Sequence, residues 1–126
     1  MLAPHAEGLR TTLLRFGQLS LKLIPDWIRT IEKNSGISCG LITSGIVVPF
    51  RNEEERNIHP TSSLGYQLNR KELEQEIPNL SASWKVGTLF SKDGQIDNRR
   101  QLMRSLEKAC VTLGVHFQEG IEVLEL

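Results

Sequence analysis

The sequence carries no net charge: 15 lysines and arginines offset 15 aspartates and glutamates among its 126 residues. Without a global positive field the chain has no sequence-independent hold on a phosphate backbone, which argues against nucleic acid as a partner. Long hydrophobic runs are missing as well. The richest stretch, Gly40 to Phe50, is broken by Thr43 and Ser44 and is too short to cross a bilayer, so no membrane partner is read. The opening Met1-Leu2-Ala3-Pro4-His5 has neither the basic start nor the apolar middle of a secretory signal. Cysteine is scarce. Cys39 and Cys110 lie far apart without a CxxC, so two reduced thiols in a cytoplasmic protein are expected, with a single disulfide the less favoured alternative.

The signatures of the common catalytic classes are absent too. There is no HExxH, GxSxG or P-loop, and no two glycines stand in a G-x-G pair. A dinucleotide fingerprint is therefore excluded within these residues. His5, His59 and His116 are scattered, with no carboxylate at a ligand spacing, so neither a metal site nor a catalytic residue is assigned. What remains is an ordinary globular composition, 39% hydrophobic and 24% charged. A single domain of this length buries roughly two thirds of its unfolded surface without help from a metal or disulfide.

Periodicity and punctuation then divide the chain. Leu9, Leu13, Phe16, Leu23, Trp27, Ile28 and Ile31 recur at helical spacing, which predicts a long helix from Glu7 to Lys33 with one apolar face. Pro25 predicts a kink or two abutting helices, and Asn34-Ser35-Gly36 a stop. A hairpin of Cys39–Thr43 and Gly45–Phe50 is expected next, from β-branched Ile46-Val47-Val48 and the Ser44-Gly45 break. Asn52 and Asn69 each suit an N-cap, the first for a helix with a solvated charge run from Arg51 to Arg56, the second for Arg70–Glu76. Ser83 to Ser91 reads as a strand and Lys92-Asp93-Gly94-Gln95 as a turn with positive φ. Asp97 should cap a helix from Asn98 to Leu113 that buries Leu102, Met103, Leu106, Ala109, Cys110 and Leu113, with Gly114 closing it. Strands at Val115–Gln118 and Ile121–Leu126 complete the order. Trp27, Phe50, Trp84, Phe90 and Phe117 are assigned mostly to the core. Helices and strands are partly segregated, so the class is α+β.

Several of these segments, taken in order, resemble one family. Met1-Leu2-Ala3-Pro4-His5-Ala6-Glu7 is similar to the "AAGML-x-x-H-x-E" of the FAD-dependent D-amino-acid oxidase and glycine oxidase family. Trp27-Ile28-x-x-Ile31-Glu32-x-x-Ser35-Gly36-Ile37 and Ser44-Gly45-Ile46-Val47-Val48 resemble its helix and first substrate-domain strands. Glu76-Ile77-Pro78-Asn79-Leu80 resembles "E-x-P-x-L", and Asp93-Gly94-Gln95-Ile96-Asp97 with the later Leu113-Gly114-Val115 resembles "DG-x-(V/I)-(D/E)-P" and "LGV". Asn98 stands where many members have proline. The "ML-x-x-HAE" stretch is most similar to the glycine oxidases of thiamine biosynthesis. The family's GxGxxG segment and its substrate-binding arginine have no counterpart, so the chain reads as a middle fragment.

The resemblance implies an antiparallel substrate-domain sheet with flanking helices, plus a partial Rossmann-like FAD-binding segment at the two ends. It divides the chain into residues 1–36 (the helix after the FAD-binding turn), 37–97 (substrate-domain sheet and short helices) and 98–126 (the return to the FAD-binding domain). The implied activity is oxidation of glycine or a related small amino acid or amine. Hydride passes to FAD; the imine hydrolyses to a 2-oxo acid and ammonia; O2 takes the electrons and becomes H2O2. A homo-oligomer is left open, and the isolated chain is expected to be inactive. Met1 and Leu2 would lie beside the isoalloxazine ring, and the backbone at Gly120 and Ile121 against the adenine. Each has a plainer alternative: an initiator on a frayed end for Met1, and a strand with a glycine bulge for Glu119 to Ile121. His5 and Glu7 could orient the cofactor turn, although helix-start polarity is preferred for both. A non-catalytic α+β module that binds a ligand or another protein is the alternative for the chain as a whole.

Overall fold

Caps and stops set most of the element boundaries in the computed structural model, which describes residues 2–97, 99–122 and 124–125. Helix α1 runs from Thr11 to Ser35, and Gly36 ends it at φ 71°, with its N–H on the Glu32 carbonyl. Pro25 lies inside this one helix, so the expected pair of abutting helices is not formed. Nor does α1 start at Glu7: residues 4–8 form turns of their own, because the amides of His5 and Ala6 are bonded to Asp93 and cannot face a growing helix. Thr11, the first helical residue, stands at φ 47°, an unfavourable region for a β-branched side chain.

Strand β1 (Ile46–Phe50) does not form a hairpin with residues 39–43. It pairs antiparallel with the distant β3 (Val86–Phe90), Val48 opposite Thr88. Strand β2 (Tyr66–Leu68) pairs with the other edge of β3, giving the order β1-β3-β2. Between β1 and β2, helix α2 (Glu53–Ile58) is capped by Asn52, whose side chain accepts from the Glu55 N–H at 2.8 Å. Its charge run is not all solvated: the Arg56 side chain is buried and paired with Glu53. Helix α3 (Arg70–Glu76) has a full capping box between Asn69 and Glu72. Its first residue pins the loop leading to β3, because the Arg70 guanidinium donates to the carbonyls of Leu80 (3.0 Å), Ser81 (3.0 Å) and Trp84 (2.6 Å).

Two apolar centres result. Ile28 and Ile31 of α1 close on Cys39 and on Ala109 of α4 (Gln101–Thr112), with Ile24, Leu41, Ile96, Leu102 and Leu106 packed around them. Phe50, Leu68, Leu73 and Phe90 fill the sheet side. Each such side chain contributes about 1.5–3 kcal/mol by leaving water. Helix α4 begins later than expected, since Asp97 does not cap it. Its carbonyl accepts from the Leu102 N–H and its carboxylate from the Arg100 N–H, forming a turn ahead of the helix. Asn98 lies outside the described residues. Ser105 is the fully buried residue on α4 and donates to the Ile37 carbonyl, whereas Met103 and Leu113 are exposed.

The described tail, residues 115–122 and 124–125, contains no strand, contrary to both expected strands. A strand needs a neighbour for its backbone groups, and no described strand offers one here. Val123 and Leu126, part of the second expected strand, lie outside the described residues. Most of the predicted apolar face of α1 is likewise uncovered: Leu13, Phe16, Leu23 and Trp27 are 49% to 69% exposed. Helix α4 packs on the Ile24, Ile28 and Ile31 side of α1. Trp27 and Phe117 are thus surface aromatics rather than core. Both cysteines are free thiols.

Candidate functional site

The turn that sequence reasoning assigned to positive φ is instead a junction. Asp93 follows β3, closes a turn through its N–H to the Phe90 carbonyl, and is fully buried. Its carboxylate Oδ1 accepts from His5 Nδ1 at 2.6 Å, and its Oδ2 accepts from the backbone N–H groups of His5 (3.2 Å) and Ala6 (2.7 Å). An ionised carboxylate only accepts, so the His5 proton sits on Nδ1. Nε2 is then the acceptor for the Gln18 side-chain amide of α1, at 3.1 Å. The His5 ring lies over Phe90, with centroids 6.2 Å apart and an interplanar angle of 16°. Thr61 donates to the His5 carbonyl, and His59 Nε2 lies 3.2 Å from the Ala6 carbonyl. His5 is therefore a buried, fully bonded group. The helix-start reading of His5 is corrected, while Glu7 is exposed.

The next two residues extend the junction through the backbone. Gly94 exchanges both hydrogen bonds with Leu2 (2.8 and 2.9 Å), and Gln95 exchanges both with Ile42 (2.8 and 2.9 Å). Gly94 is not in the positive-φ region. It is glycine because of space: a Cβ there would lie 2.4 Å from the Ile42 carbonyl oxygen. Segments 2–6, 42–43 and 93–95 thus meet at one point beside the sheet.

Of the four residues assigned to a cofactor, Met1 lies outside the described residues. Leu2 is half-buried and lines an apolar pocket of about 190 Å³ with Pro4, Gly17 and Leu21. Gly120 has φ 71° with open space around it, and Ile121 is 63% exposed. No hydrogen bond joins either to Leu2 among the described residues. Against FAD this set fits in part. Leu2 has both backbone groups engaged and can offer only its side chain to a ring edge, while Gly120 and Ile121 make no backbone hydrogen bond to another described residue, as a purine read by main chain requires. Among the described residues no glycine-rich turn at a helix start is present to hold a pyrophosphate. The Asp93–His5–Gln18 chain was missed by sequence reasoning. The available signal was that His5 and Asp93 both fall in segments carrying the resemblance.

The model of the FAD dependent oxidoreductase family, DAO, matches residues 1–126. The chain belongs to this FAD-dependent family. Among curated proteins it is similar to the bifunctional protein ThiO/ThiG of Synechocystis sp., 31% identical over 124 residues, which are 98% of this chain and 18% of that protein. The protein of the same name from Trichormus variabilis is 29% identical over 129 residues, 98% of this chain and 20% of that one. Among solved structures it is similar to glycine oxidase from Geobacillus kaustophilus, with a TM-score of 0.72 at 21% identity over 88% of this chain and 32% of that one. Glycine oxidase from Bacillus cereus gives 0.69 at 20% identity, over 82% and 31%. These likenesses bear out the α+β fold. The chain spans about a fifth of the length of the curated relatives it matches. No described helix is long and apolar enough to cross a membrane.

Proposed function

We propose that this chain is the substrate-domain side and the adjoining cofactor-facing segments of a flavin-dependent oxidase acting on glycine or a similarly small amino acid or amine. The observation that carries the reading is the family match along the whole chain, and the likeness to two solved glycine oxidases supports glycine as the substrate to test first. FAD, when bound, accepts the hydride from the substrate α-carbon. The imine then hydrolyses to a 2-oxo acid and ammonia, and O2 is the electron acceptor, giving H2O2. This chain's own part is orientation and exclusion of water. Leu2 presents an apolar wall whose position is set by the Gly94 pair and the His5–Asp93 bond behind it. In the same reading the main chain at Gly120 and Ile121 receives the adenine. In this reading residues 1–36 and 98–126 face the cofactor, and residues 37–97 face the substrate.

The test is a chimera in which residues 1–126 replace the corresponding segment of the Geobacillus kaustophilus glycine oxidase. The expected result is a yellow protein that retains FAD through gel filtration and releases peroxide with glycine. A chimera that retains FAD but oxidises neither glycine, sarcosine nor D-alanine would overturn the substrate assignment; one that folds without FAD would overturn the cofactor assignment. The 126-residue chain by itself should show neither flavin absorbance nor peroxide release.

A further inference from the structure

A cleft of about 480 Å³ opens over His5, between α1 and the turn after β3. Its lining includes Gln18 and Lys22 from α1, Thr43 from the segment before β1, and Ser91 and Lys92 from the turn. A smaller cavity of about 120 Å³ shares His5, Gln18, Ser91 and Lys92 and deepens it toward Phe90. Two properties set this cleft apart. No acidic residue lines it, and neither Lys22 nor Lys92 takes part in an ion pair among the described residues. The Asp93 carboxylate that holds His5 is fully buried and already accepts three hydrogen bonds. The floor is a buried imidazole whose Nε2 is held by Gln18.

The geometry points to a binding site for a small oxyanion, a carboxylate or a phosphate group, clasped between Lys22 and Lys92 with the Thr43 and Ser91 hydroxyls as neutral donors. Two lysines and two hydroxyl residues line a wall with no acidic residue, and neither lysine has an ion-pair partner among the described residues, which is the complement of an anionic oxygen cluster. Both lysines are exposed, so solvent screens them and the affinity is modest, about millimolar. The volume exceeds that of the anionic group alone and leaves room for a small organic body beside it. The site uses neither Leu2 nor the Gly120–Ile121 main chain, so it stands or falls apart from the flavin reading.

The test is titration of the isotope-labelled chain with inorganic phosphate and, separately, with sodium acetate, at matched ionic strength, following backbone amide shifts. Saturable shifts clustered at Lys22, Thr43, Ser91 and Lys92 are expected with at least one of the two. Phosphate alone assigns a phosphoryl ligand, and acetate a carboxylate ligand. K22Q and K92Q should each weaken binding about 3- to 10-fold, and K92R should restore it. K71Q, which removes an exposed lysine on α3 away from the cleft, should leave it unchanged. Unsaturable shifts with both anions, or an equal loss in K71Q, would overturn the site.

Discussion

The junction at residues 93–95 and the outer face of α1 meet water in opposite ways. At the junction, a carboxylate and an imidazole are buried, and every side-chain nitrogen and oxygen of that pair has a partner. On α1, phenylalanine, leucine and tryptophan stand in solvent. Residue type alone would have assigned the two regions the other way round. The difference teaches that burial here follows which segments the sheet and α4 bring together. Local hydrophobicity decides only what happens once a neighbour exists.

Removing the acceptor at the junction should have the largest effect. Asp93→Ala leaves two buried amides and the His5 ring without a partner, and a loss of about 3–5 kcal/mol is expected in urea denaturation. A loss below about 1 kcal/mol would mean that water replaces the carboxylate and the contrast with α1 is not real. Next comes Gly94→Ala, whose new methyl meets the Ile42 carbonyl; about 1–3 kcal/mol should be lost. Asn69→Ala removes half of the α3 capping box and should cost about 1 kcal/mol, read from the same unfolding curves. Smallest of all, Phe16→Ser and Trp27→Ser on α1 should change stability by less than about 0.5 kcal/mol while reducing binding of an apolar dye. If either one unfolds the chain, the α1 face is covered in solution and the comparison must be redrawn.

Several local signals were legible in the sequence, although Pro25 did not split α1 and Asp97 did not cap α4. Asn52, Asn69 and Gly36 act through hydrogen bonds and backbone angles within a few residues, and each ends or begins its helix as expected. The partial segregation of predicted helices and strands also yielded the α+β class. Long-range pairing was not legible. The Ile46-Val47-Val48 run predicted a strand but could not say that its neighbour would be β3 rather than residues 39–43. His5 looked like helix-start polarity because its partner is 88 residues away. Gly94 looked like a conformational glycine, yet only the Ile42 carbonyl across the junction reveals it as a steric one. The strand expected at Val115–Gln118 is absent for the complementary reason: a strand forms only where a second one is there to pair with it, and no described strand lies beside it.

The junction also sets an order of events on the ribosome. Because 88 residues separate His5 from Asp93, the N-terminal turn must wait, at roughly 5–20 residues per second, about 4 to 18 seconds of synthesis before its carboxylate exists. Through that interval the imidazole and its neighbouring amides stay hydrated, while α1, ended by its own Gly36, is free to form. The nascent chain therefore completes its first helix well before it can anchor the residues that precede it.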